Sequence, residues 1–541
     1  MTEKRSLLRE CDHQVWIMES GRPVPISSQV RFLLFVSFLL VFFVSVFPAL
    51  GEENQEIASV QQGLKKLTLS DCVLLALQNN VSIQTAYLDR ISQRMELRVA
   101  EDKFVPQPSL SFSTRASSTY NTDGTRTRAS TQDGLFATTL NLPTGGSVTF
   151  SWDNPATKAD IGQDYSYSSG WSVQFTQPLL KNAGVDVATQ SIRQARVAEE
   201  QYILDLKDTL ATTITTTITD YRAYVSALRS YDIQAKGLET ARRTLETNQA
   251  LIDAGRMAQT EILQAQNDVA NRELSVITAR NDVDSARLTL LQILNLDKNT
   301  NFLPVEEGEQ FVPPPSLEEA IAVALKNRSD YIKSIQNLEL AKLDLAVNKR
   351  NLLWDLSLVT NVGRTGMGDT YRNALADQQI RKSDWDVWLQ LNIPLRDLQS
   401  ESSYVTAKVA LEKAGINLKK LVSDIEIDVQ NKIRNIDVNY RSYVLAKKGR
   451  ELSERKLEIE REKLRLGRST NFQLVSFQND VLDQQTMELQ ALITYLNSLT
   501  DLDQSLGVTL NRWNITVKRE DESVKLPEDR KKEVNEKLTA K

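Results

Sequence analysis

The 541-residue chain has one histidine, His13, and two cysteines, Cys11 and Cys72. His13 and Cys11 precede an almost wholly apolar run, Phe32 to Phe47, which follows Arg31 and ends in Phe47-Pro48-Ala49-Leu50-Gly51. Ala49 and Gly51 fit the small-x-small cleavage rule, so residues 1–51 read as a leader with a secretory signal peptide. Cleavage near Gly51 would leave a mature chain with no histidine and one cysteine. That excludes His-based acid–base catalysis, zinc sites built on His or paired Cys, and an internal disulfide. A retained membrane anchor is the alternative, although the apolar run is slightly shorter than the ~20 residues a spanning helix needs. Met18 competes with Met1 as the start, and no Cys follows the cleavage site to carry a lipid. A net charge of -5 makes no case for nucleic acid. Only 20 Gly and 14 Pro are present, which suits long uninterrupted elements.

The longest of these runs from Pro178 to Leu296 and reads as two antiparallel helices meeting at Gly255. Ile203, Leu210, Thr217, Tyr224, Tyr231, Leu238, Leu245 and Ile252 recur every seven residues toward the turn. Ile262, Val269, Val276, Val283 and Leu290 do so after it. A seven-residue period keeps one seam against a partner only if the helices wind around each other, so the pattern is that of a coiled coil. The arm from Pro178 to Gly255 would be ~115 Å long at ~1.5 Å per residue, far beyond the needs of a compact domain. Within it, Thr212 to Thr219 is β-branched throughout and favours strand by propensity, yet the series passes through in phase and predicts helix.

The chain is one unit written twice. Thr68-Leu69-Ser70-Asp71 is a capping box opening a helix, and Ser316-Leu317-Glu318-Glu319 repeats it. Leu69, Ala76, Leu77 and Asn79 recur as Leu317, Ala324, Leu325 and Asn327; Gly255-Arg256 recurs as Gly467-Arg468. The division is therefore a mature N-terminal segment (52–67), repeat 1 (68–300), a Pro-rich linker (301–315), repeat 2 (316–510) and a charged tail (511–541). Each repeat holds a helix, strands and a long helical hairpin. The stretch from Arg256 to about Lys298 plus that from Ser316 to Asn351 matches the arm Pro178 to Gly255 in length. The helix after Gly467 plus that from Thr68 to Phe104 likewise matches the arm Pro394 to Gly467, so two short helices stacked end to end would equal one long one.

Between the helices lie segments of period two. Leu110 and Phe112 alternate with serines, and Val148, Phe150 and Trp152 alternate with Ser147, Thr149 and Ser151. Trp171, Val173 and Phe175 alternate with Ser172, Gln174 and Thr176, and Val387, Leu389 and Leu391 with Trp388, Gln390 and Asn392. One apolar and one polar face suits a barrel strand between lipid and water, and equally a soluble sandwich with one buried face. Five of the seven tryptophans, Trp152, Trp171, Trp354, Trp385 and Trp388, lie in or beside these strands and suggest an aromatic girdle at a bilayer interface. The fold class is mainly α with a β-barrel part: a long coiled-coil helical barrel plus a transmembrane β-barrel. Four or six strands cannot close around water, so the wall must be shared among subunits.

On the opening-helix motif 69–80 and its second copy, Gln177-Pro178-Leu179-Leu180, Ile393-Pro394-Leu395 and the two Gly-Arg turns, the chain resembles the TolC-like outer-membrane efflux proteins from about Thr68 to Leu510. The resemblance implies a homotrimer with its barrel in outer-membrane lipid and a helical tunnel across the periplasm. A periplasmic adaptor protein would couple it to an inner-membrane pump or type I secretion system, with no cofactor, metal or catalytic residue. It places adaptor docking at the tips, Gly255, Arg256, Gly467 and Arg468, and Thr260-Glu261 looks like the Thr-acid pair of the family's inner-helix tip. Some members have two aspartates where this sequence has Gln473 and Ser476, so a constriction there would rest on hydrogen bonding by Gln473 and Ser476, with Asp480 further up as an acidic ring. The family's usual four strands per chain contrast with an additional hairpin here, Leu135 to Leu142 followed by Ser147 to Trp152. Arg256 and Arg468 could pair across the tip with Glu261 or with a neighbouring subunit. A passive exit duct is the leading expectation. A coiled-coil spacer between outer membrane and cell wall is the alternative, and an exported enzyme lacks a nucleophile, base or metal cluster.

Overall fold

The computed structural model describes residues 65–159, 164–305, 313, 315–378 and 383–517. The signal peptide, the choice of start, residues 52–64, most of the Pro-rich linker and the tail beyond Val517 lie outside them. In chain order the elements are β1 (Lys65–Leu67), α1 (Leu69–Asn79), α2 (Val81–Glu101), β2 (Gln107–Tyr120), β3 (Arg126–Asn141), β4 (Ser147–Asp153), β5 (Ala156–Lys158) and β6 (Ser166–Pro178). Then come α3 (Val185–Ala188), α4 (Gln190–Asp253), α5 (Glu261–Leu294), β7 (Phe302–Pro304), α6 (Leu317–Asn327), α7 (Ser329–Asn351) and β8 (Asp355–Gly368). The last are α8 (Tyr371–Ala376), β9 (Asp384–Asn392), α9 (Leu398–Arg465), α10 (Asn471–Ser505) and α11 (Thr509–Arg512).

The long helices form where the seven-residue pattern lies. None of its thirteen positions in α4 and α5 is exposed, from half-buried Ile203 to fully buried Leu210, Thr217 and Leu290. The threonine-rich stretch is helical because its hydroxyls turn back on the helix. Thr213 Oγ1 donates to the Thr209 carbonyl at 2.8 Å and Thr217 Oγ1 to that of Thr213 at 2.7 Å. These two hydroxyls thus find partners inside the seam, whereas Thr215 Oγ1 is buried without one among the described residues. The arm starts at Gln190 rather than Pro178, since β6 runs through Pro178 and Gly184, at φ +101, turns the chain before α3. Its 64 residues span about 96 Å.

The opening helix of each repeat breaks in two at matching places. In α1 the Thr68 hydroxyl accepts from Asp71 N at 3.2 Å while the Asp71 carboxylate accepts from Thr68 N at 3.1 Å, a reciprocal capping box. At the break, Asn80 caps α2 by accepting from Ser82 N at 2.9 Å, and its Nδ2 donates to the Ile293 carbonyl at the end of α5 at 3.0 Å. In repeat 2, Arg328 stands at the break and donates to the Ser505 carbonyl at the end of α10 at 3.2 Å, held by Asp330 at 2.8 Å and Asp428 at 2.9 Å. So α5 runs into α2 and α10 into α7. The expected end-to-end partners are exchanged: the stretch 256–298 meets the opening helix of its own repeat, as does the stretch after Gly467.

The larger core surrounds α1, where Cys72, Val73, Leu75 and Ala76 pack with Leu210 and Ile214 of α4 and Leu290 and Leu294 of α5. A matching core in repeat 2 joins Ala320 and Ala324 to Ile425, Val429 and Leu502. β1 and β7 pair in parallel over the first, so the start of the expected linker is a strand. Tyr221 and Tyr224 of α4 donate to its Val305 and Phe302 carbonyls at 2.6 and 2.9 Å.

Candidate functional site: the sheet and the hairpin tips

All the remaining strands form one antiparallel sheet in the order β2-β3-β4-β6-β8-β9. β5 continues the line of β4 past Asn154 and Pro155, pairing with the same neighbours β3 and β6. The additional hairpin β3–β4 therefore lies within the sheet, which has six strand positions.

Register decides the faces. Directly paired residues share a face, so following Leu110↔Phe136, Phe136↔Trp152, Trp152↔Trp171, Val173↔Val362, Val362↔Trp385 and Leu358↔Leu389 traces one face across all six strands. That face is apolar, while the other presents Ser109, Thr139, Ser151, Ser172, Asn361 and Gln390. Phe112 is 79% exposed and Trp385 72%. Trp152, Trp171 and Trp385 fall on the apolar face in neighbouring registers. Trp388 does not join them: it pairs with Val359, one residue out of phase, and lies on the polar face. Trp354 precedes β8 at the helix end of the sheet, its carbonyl accepting from Lys181 N at 3.2 Å.

The two hairpin tips are built alike. Gly255 and Gly467 have φ of +69 and +71. Arg256 N donates to the Leu251 carbonyl and Arg468 N to that of Lys463, both at 2.8 Å, while each glycine N bonds the carbonyl three residues back. These are Schellman motifs, in which a left-handed residue closes the last turn. Nothing lies within 4 Å of where a Cβ on either glycine would stand. Arg256 and Arg468 are exposed, and neither has an ion-pair partner among the described residues, so the expected pairing with Glu261 does not form within one chain. Thr260 is exposed at the N-cap of α5 without a capping hydrogen bond, and Glu261 opens that helix half-buried. Gln473 is exposed and gives its backbone N–H to the Thr470 hydroxyl at 3.3 Å, while Ser476 is half-buried. Asp480 is held sideways by Lys456 of α9 at 3.2 Å, and that ammonium sits 3.9 Å from the Phe477 ring centre.

Residues 73–296 match the family of outer membrane efflux proteins. In fold the chain is similar to the outer membrane channel CmeC of Campylobacter jejuni, with a TM-score of 0.62 and 14% identity over 97% of this chain and 98% of that one. It is similar too to the open-state outer membrane channel MtrE of Neisseria gonorrhoeae, with a TM-score of 0.59 and 16% identity over 81% and 88% of the two chains. The outer membrane protein VceC of Vibrio cholerae gives 0.62 and 11% over 81% and 96%. No curated protein matches in sequence. Residues 73–296 thus carry the sequence pattern of outer membrane efflux proteins, and the chain has the fold of these outer membrane channels.

The second tip holds a feature that sequence patterns do not reveal. Glu460, only 3% exposed, accepts from the Ser469 hydroxyl across the turn and from Lys463 at 3.2 Å. The Ser469 hydrogen bond, aided by Lys463 and opposed by burial, holds the Glu460 carboxyl below the usual glutamate range. Asn471 is 3% exposed, and neither side-chain atom finds a hydrogen-bond partner among the described residues. Around this tip Leu466 and Phe472 are both 61% exposed. Cys72 is fully buried in the α1 core; burial and then the neighbouring Asp71 push its thiol up to about 12. Among the described residues no group of His, Cys, Asp and Glu could hold a metal ion.

Proposed function

We propose that copies of this chain pool their sheets into one outer-membrane barrel that continues below as a helical duct, a passive exit for cargo expelled by an inner-membrane pump. The observation that carries this reading is the single apolar face running through six strands whose edges, β2 and β9, are unpaired. In lipid an open edge leaves backbone N–H and C=O groups without partners, a cost of several kcal/mol each. β2 runs away from the helices and β9 runs back toward them, so β9 of one copy can pair with β2 of the next and keep the antiparallel alternation. Three copies, as the family resemblance implies, would close a wall of about eighteen strands rather than twelve, and barrel diameter grows with strand number.

The tips are the proposed docking points for a periplasmic adaptor. Exposed Leu466 and Phe472 beside Gly467 and Arg468 offer an apolar contact rimmed by a cation, the usual composition of an interface core. Thr260, Glu261, Gln473 and Ser476 remain the candidates for the constriction. Asp480 contributes there only if its pair with Lys456 opens.

Single-channel recording in planar bilayers tests the duct. Discrete conductance steps larger than those of a twelve-stranded homologue are expected. A protein that inserts without conducting would favour the spacer between outer membrane and cell wall. For docking, Gly467→Glu or Gly255→Glu should abolish export in cells while trimers still assemble on native gels, and normal export would remove the tip from the mechanism.

A further inference from the structure

The two free edges of the sheet differ in length: β2 runs from Gln107 to Tyr120 and β9 only from Asp384 to Asn392. They also end at different levels. Directly paired residues connect Trp385 of β9 to Val362, Val173, Phe150, Thr138 and, on β2, Pro108. Trp385 stands seven residues from the helix-side end of its strand and Pro108 one residue from the end of its own, so those ends step by six residues across the sheet. Six residues rise about 20 Å, and six strand spacings, the seam between copies included, cover about 29 Å. If the helix-side ends are level, the strands therefore tilt by about 35°, within the range of about 35–45° that membrane barrels show.

Levelling those ends fixes a register between copies. Asn392 of one copy then stands opposite Gln107 of the next, and all nine residues of β9 pair with the stretch from Gln107 to Arg115. On the apolar face Leu389 meets Leu110 and Val387 meets Phe112, four side chains that are exposed in the single chain. Past Arg115, β2 continues as Ala116, Ser117, Ser118, Thr119 and Tyr120, so the seam stops where the apolar alternation stops. On the polar face the same register sets Arg115 directly against Asp384. Arg115 is the one cation among the strand residues of that face, which also carries Asp133, Asp153, Asp355 and Asp386. It has no ion-pair partner among the described residues, and the 81% exposed Asp384 carboxylate is approached by Arg364 at 3.9 Å. Opposite charges directly across a strand pair stabilise it.

We infer that a second copy of this chain occupies each free edge in this nine-residue register, with Leu110–Leu389 and Phe112–Val387 contacts toward lipid and an Arg115–Asp384 ion pair toward the lumen. The inference rests on the proposed barrel and adds which residues of two copies meet. A slip of one residue would set the apolar side chains of one strand beside the polar ones of the other. A slip of two would leave the helix-side ends uneven. The last five residues of β2 overhang the seam past the level of Trp385, where their free backbone groups meet water instead of lipid.

Disulfide trapping in the full-length protein tests the register. Directly opposed residues have Cβ atoms about 5 Å apart and diagonal ones about 7 Å, and a disulfide needs the shorter separation. Ser109→Cys combined with Gln390→Cys, opposed in this register, should give covalent dimers and trimers on non-reducing gels. Ser111→Cys combined with Gln390→Cys should give about tenfold less. Arg115→Asp should lower the temperature at which trimers dissociate on gels, and adding Asp384→Arg should restore it. Stronger cross-linking by the second cysteine pair, or no restoration by the double reversal, would overturn the register while channel conductance keeps the duct. Disulfides formed only within single copies would show each chain closing its own sheet and overturn the seam. Absence of conductance from wild type would instead bring down the barrel on which the seam depends.

Discussion

Two glycines with the same backbone conformation should respond differently to the same substitution. Gly255 at a hairpin tip and Gly507 at the end of α10 both have φ of +69. An L side chain in this left-handed region costs about 1–2 kcal/mol. At Gly255 that is the whole cost, because nothing lies within 4 Å of the added Cβ. At Gly507 the Cβ would meet the Asn327 carbonyl carbon at 3.0 Å, its oxygen at 3.1 Å and Arg328 N at 3.2 Å, all backbone atoms of the break between α6 and α7. Backbone cannot swing aside as a side chain can, so overpacking adds roughly 1–3 kcal/mol. Gly507→Ala should therefore cost about 2–5 kcal/mol and Gly255→Ala about 1–2 kcal/mol. Asparagine separates the two causes, since it visits the left-handed region readily and Asn295 holds the position equivalent to Gly507 at φ 50. Gly255→Asn should be close to neutral, whereas Gly507→Asn should keep the steric part. Thermal melting followed by far-UV circular dichroism on the detergent-solubilised protein reads the ranking. Equal loss in Gly255→Ala and Gly507→Ala, or a Gly507→Asn variant as stable as wild type, would refute the reasoning.

Cys72 should resist a maleimide at mildly alkaline pH in the folded protein and react once the chain is denatured, because its thiol is buried and pushed up to about 12. Asn80→Ala should cost about 1–2 kcal/mol through the lost α2 cap and the orphaned Ile293 carbonyl. Asn80→Asp should keep the cap yet remain destabilised, because a carboxylate oxygen would face that carbonyl; the melting assay reads both. At the second tip, Glu460 has its carboxyl held below the ordinary range, so its contribution is complete above the ordinary glutamate value and is lost as pH falls through the lower folded value. A nitroxide on Leu466→Cys should gain mobility only under acid, and Ser469→Ala should move that transition to higher pH; a transition unmoved by Ser469→Ala would discount the latch. Asn471→Leu should raise stability by about 1 kcal/mol, since it removes two buried polar atoms that lack partners.

Much of the architecture was legible because local periodicity has few physical solutions. Seven-residue spacing from Ile203 to Ile252 admits only a helix with one buried seam, and it overrode the strand propensity of Thr212 to Thr219. Alternation at Val148 to Trp152 and Trp171 to Phe175 admits only a strand with two unlike faces. The Gly-Arg pairs marked both turns, and the capping boxes marked both opening helices. Less of the site was readable. The Glu460 to Ser469 contact joins residues nine apart through a turn, and no pattern announces it. Trp388 counted as a girdle residue by its type, whereas its phase places it on the other face.

The sequence by itself determined which segments are helix and strand, where they turn, and that the unit is duplicated, since each of these depends on contacts a few residues apart. Only the tertiary structure decided which element meets which. The 34-residue α5 and 35-residue α10 are nearly interchangeable, as are the 21-residue α2 and 23-residue α7, so length allows either pairing. What distinguishes them is a pair of hydrogen bonds between residues far apart in the chain, Asn80 to the Ile293 carbonyl and Arg328 to that of Ser505. Duplication makes the two repeats alike locally, and what is alike locally can be told apart only by its long-range contacts.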